Sequence, residues 1–168
     1  MEDTLELRPG RRVDVRGLAP FLGVSALVVA ADQLTKAFIR ARLLEGESWP
    51  VFGELLRISH VENSGAAFGI LQGAGIFLLL STVVGVAALA AYLFFVPQGS
   101  RWYTFALALV LGGAVGNFID RDTRGTVTDF IDPARYPSFN LADSSIVVGI
   151  AVLLIATYRT PDAPRDEG

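Results

Sequence analysis

The chain contains 168 residues, of which 52% are hydrophobic and 18% charged, so it is more apolar than a typical soluble domain. It has no cysteine, which excludes disulfide bonds, a thiol nucleophile and cysteine-bound metals. The formal net charge of −3 provides no basic excess for binding a nucleic-acid backbone. The composition therefore favours a membrane protein, and we expect no nucleic-acid partner.

Two long segments without any charged residue predict transmembrane helices. Residues 64–100 and residues 102–119 contain no Asp, Glu, Lys or Arg, and about 20 apolar residues suffice to cross a hydrocarbon core of roughly 30 Å. Two further apolar segments are each interrupted by one acidic residue, Asp32 or Asp143. We therefore predict four spans, at about residues 17–36, 75–96, 102–119 and 140–158.

The segments outside these spans are two polar tails and two polar loops. The tail of residues 1–16 carries both signs of charge, unlike the start of a cleavable signal peptide, so we expect the first span to be retained. The tail of residues 159–168 is also polar, and the loops cover residues 40–65 and 120–138. Partial alternation in the first loop predicts a small β-sheet that lies on lipid. The predicted fold is an all-α integral membrane protein with four transmembrane helices and a small extramembrane β-sheet in the first loop.

Polar residues at the span ends are predicted to meet at one membrane face. Four consecutive spans alternate in direction, so the end of the first, the start of the second, the end of the third and the start of the fourth lie together. Ionisable groups beside hydrocarbon are costly and often mark a functional site. The residues that this topology collects are Asp32, Asn63, Asn117, Asp120, Arg121, Asp129, Asn140 and Asp143.

The orientation in the membrane depends on the first span. The tails with the short turn hold seven Lys and Arg residues, and the two polar loops together with Lys36 at the end of the first span also hold seven, so the total number does not determine the orientation. Four arginines precede the first span, which favours cytoplasmic termini and a site near the outer face. We expect a multi-pass membrane protein.

Two pairs of these polar residues also have a purely structural explanation. Asn140 fits the N-cap of the fourth span and Asp143 fits its first turn, where the helix dipole favours a carboxylate. The same spacing of three places both side chains on one helix face, as a shared site requires. An interfacial salt bridge explains Asp120 and Arg121 as well as chemistry does.

Other polar and small residues favour structural roles. Asp32 and Lys36 are four residues apart with the acid first, which favours a helical ion pair. Gly112, Gly113 and Gly116 favour close packing of helices rather than a phosphate-binding loop.

The available side chains leave few kinds of hydrolytic chemistry. The single histidine, His60, lies in the predicted sheet, which argues against a Ser-His-acid triad, and no His-Glu-x-x-His zinc motif occurs. Two carboxylates that lie close together share a proton, so one can activate water while the other polarises a carbonyl group. Asp129 and Asp143 can form such a pair if the loop between them folds back, and this chemistry hydrolyses peptide bonds.

Five blocks of sequence occur in a fixed order over roughly residues 18–158. They are Asp32-Gln33-Leu34-Thr35-Lys36, Asn63-Ser64-Gly65-Ala66-Ala67-Phe68, the segment from Gly112 to Arg121, Val127-Thr128-Asp129-Phe130, and Phe139-Asn140-Leu141-Ala142-Asp143-Ser144. In order and setting, these blocks resemble the lipoprotein signal peptidase (signal peptidase II) family. This family consists of bacterial inner-membrane aspartyl proteases that remove signal peptides from prolipoproteins, before a diacylglyceryl-modified cysteine. The resemblance implies a multi-pass protein of the bacterial cytoplasmic (inner) membrane.

The resemblance implies a role for each matching residue. It implies that Asp129 and Asp143 are the catalytic pair, and it requires no metal or organic cofactor. The residues that it implies for substrate binding or for ordering the site are Asp32, Lys36, Asn63, Gly65, Asn117, Asp120, Arg121, Asn140 and Ala142. The expected partners are diacylglyceryl-modified prolipoprotein signal peptides and membrane lipids, and we expect a monomer.

Two other classes of protein remain as alternatives. A small proton-coupled transporter or channel subunit would use buried Asp residues as proton relays, but relays are expected near the middle of the membrane and often in repeated halves. A structural assembly protein would leave Asp129 and Asp143 replaceable. The collection of carboxylates at one face and the lack of an internal repeat favour the peptidase.

Overall fold

The computed structural model describes residues 15–64, 80, 83–88 and 101–159. Residues 83–88 are helical and belong to the predicted second span, whose remaining residues apart from residue 80 lie outside the described residues, as does Gly65. The described helices are α1 (Val15–Arg42), α2 (Arg101–Arg124) and α3 (Leu141–Arg159), and the strands are β1 (Ser48–Pro50), β2 (Leu56–Asn63) and β3 (Val127–Pro133).

The helices have the burial pattern of a membrane protein. On α1, Leu27 and Leu34 are 70% and 71% exposed, whereas the charged Asp32 and Lys36 are completely buried between helices. Apolar side chains outside and paired charges inside match a lipid environment. Among the described residues, three segments are long and apolar enough to cross a membrane: Leu18–Arg42, Arg101–Arg124 and Leu141–Tyr158.

Helix α2 packs between α1 and α3, and its glycines allow close contact. A Cβ atom on Gly112 would lie 2.7 Å from Val28 of α1, and one on Gly113 would collide with the backbone of Ala142 in α3. The hydroxyl of Ser25 also donates a hydrogen bond across the helices to the carbonyl of Ala108, at 3.1 Å. The predicted packing role of these glycines is confirmed.

The three strands form one antiparallel sheet in the order β1-β2-β3. Strands β1 and β2 come from the first polar loop, as predicted, and β3 comes from the second polar loop. The prediction that confined the sheet to the first loop was therefore wrong. A hydrophobic cluster of Ile39, Leu43 and Phe130 packs the sheet against the C-terminal end of α1.

Candidate active site

The two central carboxylates lie where β3 and the start of α3 meet. Asp129 is in the middle of β3 and is 2% exposed. Asp143 is in the first turn of α3 and is half-buried. The chain between them returns by pairing Ile131 with Phe139 in an isolated β-bridge. This return brings the start of α3 back towards β3, as the predicted fold-back requires.

Asn140 connects the two carboxylates. Its side-chain Nδ2 donates to Asp129 Oδ1 at 2.7 Å. Its Oδ1 accepts a hydrogen bond from the backbone N–H of Asp143 at 3.0 Å, and its own N–H donates to Asp143 Oδ2 at 3.2 Å. The last two bonds form a reciprocal cap of α3. The predicted cap is confirmed, and the capping residue is also part of the site.

Asn117 of α2 holds the second carboxylate from the other side. Its Nδ2 donates to Asp143 Oδ1 at 2.7 Å. Its Oδ1 accepts from Asn140 Nδ2 at 3.1 Å and from Lys36 Nζ at 3.0 Å. Because both donors fix the oxygen end of this amide, its N–H₂ group must point towards Asp143.

The environment of Asp129 favours its protonated form. Burial, together with the nearby charge of Asp143, raises the pKa of Asp129 from 3.8 to about 6, although hydrogen bonds from Asn63 and Asn140 oppose the increase. The bond from Asn63 Nδ2 to Asp129 Oδ2 is 2.9 Å long. Asp129 therefore resembles a carboxyl that can hold a proton near neutral pH.

A buried cluster of Asp32, Lys36 and Asp120 contacts the start of α3 beside the site. Lys36 Nζ lies 2.8 Å from Asp32 Oδ2 and 3.1 Å from Asp120 Oδ2, and all three residues are completely buried. Asp32 Oδ1 also accepts the backbone N–H of Ala142 at 3.0 Å, which fixes the first turn of α3. The predicted ion pair of Asp32 and Lys36 is confirmed, and Asp120 completes it from α2.

Two further residues were predicted for the site, Arg121 and Gly65. Arg121 is half-buried, and its positive charge faces the carboxylates of Asp143 and Asp129. Gly65, predicted to shape the site, lies outside the described residues. The structure thus brings together Asp32, Lys36, Asn63, Asn117, Asp120, Arg121, Asp129, Asn140, Ala142 and Asp143.

Sequence reasoning missed several polar residues around this group. Gln33 Nε2 donates to Asp120 Oδ1 at 3.2 Å and to the carbonyl of Gly116 at 3.0 Å. Thr128 is completely buried, and its N–H donates to Asp120 Oδ2 at 3.2 Å. Gln33 lies in the block Asp32–Lys36 and Thr128 lies in the block Val127–Phe130, so their position in these blocks was the one sequence feature that could have indicated them.

Glu62 is a third such residue. Burial acts to raise the pKa of Glu62, but hydrogen bonds from Thr126, His60 and Thr128 outweigh this effect and lower it below its ordinary value. Among the residues that the structure describes, no group of three or more His, Asp or Glu side chains is arranged to hold a metal ion.

Solved structures share this fold. Two chains described as bacterial membrane enzymes studied by the in meso method superpose with TM-scores of 0.77 and 0.76. They are 32% and 31% identical to this chain, and the matches cover 86% and 90% of it and 96% and 94% of theirs.

Curated relatives are more similar in sequence. The lipoprotein signal peptidase of Moorella thermoacetica is 44% identical over 135 residues, which cover 80% of this chain and 89% of the relative. That of Bacillus subtilis is 41% identical over 136 residues, with 79% and 88% covered.

The fold and the site define a membrane enzyme of the aspartic peptidase class. The family model described as signal peptidase (SPase) II matches residues 24–159. The chain belongs to the signal peptidase II family. This membership decides between the alternatives in favour of the peptidase, because neither a transporter nor an assembly protein is expected to belong to a peptidase family.

Proposed function

We propose that this chain removes signal peptides from diacylglyceryl-modified prolipoproteins by cutting before the lipid-modified cysteine, with Asp129 and Asp143 as the catalytic pair. The relatives are lipoprotein signal peptidases, which supports a lipoprotein substrate. The observation that carries the catalytic assignment is the contact of one residue, Asn140, with both carboxylates. A pair of aspartates held this way can share one proton.

The two carboxylates have different roles in this proposal. Asp143 lies at the positive end of α3 and faces Arg121, and both positive charges favour its carboxylate form. Asp129 is more deeply buried and faces the charge of Asp143, so it is the protonated member. Asp143 therefore acts as the base and Asp129 as the acid.

Peptide hydrolysis follows from these roles. Asp143 takes a proton from water while the water oxygen bonds to the scissile carbonyl carbon, and Asp129 gives its proton to the carbonyl oxygen. Collapse of the tetrahedral intermediate restores the carbonyl and breaks the C–N bond. The proton held by Asp143 passes to the amine of the modified cysteine, and the proton of the intermediate's hydroxyl returns to Asp129. The products are a signal peptide and a lipoprotein with a free amino terminus.

The substrate reaches this site from within the bilayer in our proposal. The full domain has four transmembrane helices in the cytoplasmic membrane of a bacterium, with both termini in the cytoplasm. The sheet lies at the outer membrane surface, where the exposed side chains of Trp49, Phe52 and Tyr136 contact lipid. The protein acts as a monomer, and the substrate's acyl chains pack against its lipid-facing helices.

A cleavage assay tests the proposed function. Purified protein in detergent micelles is incubated with a diacylglyceryl-modified prolipoprotein and, separately, with the same precursor carrying an unmodified cysteine. We expect signal-peptide removal from the modified precursor at least about tenfold faster, because acyl-chain burial contributes to binding. Equal rates for both precursors, or no cleavage by monodisperse protein, would contradict the proposal.

A further inference from the structure

The sheet carries a second polar cluster on the face opposite Asp129. Strands β2 and β3 pair Glu62 with Thr128, Val61 with Asp129 and Asn63 with Val127. Neighbouring residues of a strand point to opposite faces, so Asp129 and Asn63 share one face while Glu62 and Thr128 share the other. We call the group formed by Arg40, His60, Glu62, Thr126 and Thr128 the rear cluster.

Glu62 is the centre of the rear cluster. Its Oε1 accepts hydrogen bonds from Thr128 Oγ1 at 3.0 Å and from His60 Nε2 at 2.9 Å, and its Oε2 accepts from Thr126 Oγ1 at 2.5 Å. The carboxylate of Glu62 in β2 therefore binds Thr128 of β3 and Thr126 immediately before β3, which holds the two strands in a single register.

His60 connects Glu62 to the end of α1. Its Nδ1 lies 2.9 Å from the carbonyl oxygen of Leu43, and its Nε2 lies 2.9 Å from the Glu62 carboxylate. The ring therefore bridges the backbone that follows α1 and the carboxylate at the centre of the rear cluster.

Thr128 connects Glu62 to β3, the strand that contains Asp129. Its hydroxyl donates to Glu62 of β2 and accepts from Arg40 Nη1 of α1 at 2.9 Å, and its backbone N–H donates to Asp120 of α2. Three separate elements thus hold the residue immediately before Asp129. Glu62 is likewise next to Asn63, whose amide binds Asp129.

We propose that Glu62 and Thr128 are positioning residues for the reaction, which fix Asp129 and Asn63 from the opposite face of the sheet. This inference rests on the proposed function. Neither side chain touches the substrate in this account. Catalytic groups must keep their geometry closely, and a shift of about 1 Å can cost up to 100-fold in rate.

Steady-state kinetics of four variants test the inference. Thr128→Val keeps the shape of the side chain but removes the hydroxyl, and we expect kcat to fall about tenfold with KM within about twofold. Glu62→Gln should give a similar loss, because an amide cannot accept from all three donors. Thr128→Ser keeps the hydroxyl and should stay within about twofold of the wild-type kcat. The double variant should be little worse than the poorer single variant, because the two residues act as a unit.

Matched controls separate positioning from loss of fold. Glu54→Gln and Thr123→Val make the same chemical changes at exposed positions and should leave kcat unchanged. All rates are divided by the amount of monodisperse protein. If Thr128→Val does not fold, the kcat of Glu62→Gln alone tests the positioning role.

Three results would overturn the inference: an unchanged kcat in Thr128→Val or Glu62→Gln, a Thr128→Ser variant as slow as Thr128→Val, or independent losses that multiply in the double variant. Wild-type protein that fails to cleave the modified precursor would instead refute the proposed function.

Discussion

Replacement of Asp129 by Asn should make the folded protein more stable while it removes activity. A carboxyl whose pKa rises from 3.8 to about 6 on folding is held in the protonated form by the folded state. The contribution of this carboxyl to the free energy of unfolding is therefore highest at a pH below 3.8, the pKa of the group in the unfolded chain. That contribution decreases as the pH rises through about 6, the pKa in the folded protein. At neutral pH the wild-type protein has lost ~3 kcal/mol in this way.

An asparagine at this position avoids most of that loss. It cannot ionise, but it places an N–H₂ group where a carboxylate oxygen accepted a hydrogen bond from Asn63 or Asn140. One lost hydrogen bond costs ~1 kcal/mol, so the net gain at neutral pH is ~2 kcal/mol. By the scale of globular proteins of this length, this gain corresponds to an increase in Tm of roughly 4–8 °C.

Thermal unfolding in detergent, followed by tryptophan fluorescence, measures this effect between pH 4.5 and pH 8. The difference in Tm between Asp129→Asn and wild type should increase with pH across this interval. Asp132→Asn is the matched control on the same strand, because its carboxylate instead pairs with Arg57 at 3.0 Å. It should give no such increase. A difference for Asp129→Asn that does not depend on pH, or a lower Tm at pH 8, would contradict a raised pKa of Asp129 in the folded protein.

Other predictions follow from the same contacts. Asn63→Ala removes a hydrogen bond that lowers the pKa of Asp129, so the decrease of kcat/KM at alkaline pH should move to higher pH, and an unmoved pH–rate profile would contradict the assigned acid. Lys36→Met leaves two buried carboxylates without their cation and should reduce the free energy of unfolding by about 3–5 kcal/mol, seen as a large loss of Tm, whereas an unchanged Tm would contradict the buried ion pairs. An impermeant thiol reagent on intact cells should label Tyr136→Cys and leave Ser100→Cys unlabelled, and the reverse pattern would invert the proposed topology.

The proximity of Asp129 and Asp143 could be predicted from the topology of the spans and the spacing of residues. Alternating spans placed Asp129 and Asp143 at one face, and the spacing of three between Asn140 and Asp143 indicated both a cap and a shared surface. The ion pair of Asp32 and Lys36 followed from their separation of four residues. Each inference depended on local geometry or on the direction of a helix, which the sequence pattern carries directly.

The hydrogen bonds among these residues could not be predicted from sequence patterns. Thr128 is held by residues from three elements, and its partner Glu62 lies 66 positions away in the chain. Strand β3 pairs along its length with β2, which is distant in the chain, so the local sequence of its seven residues only weakly indicates a strand. Contacts of this kind depend on tertiary packing, which neither periodicity nor composition determines.

Turnover per folded molecule in Asp129→Asn and Asp143→Asn measures whether these two carboxylates form the catalytic pair. Each variant keeps the size of its side chain and removes the acid–base chemistry of the pair. With rates normalised to a monodisperse gel-filtration peak, each variant alone should abolish cleavage of the modified precursor, and the double variant should be little worse. Near-normal turnover in either single variant would contradict the assignment of Asp129 and Asp143 as the catalytic pair.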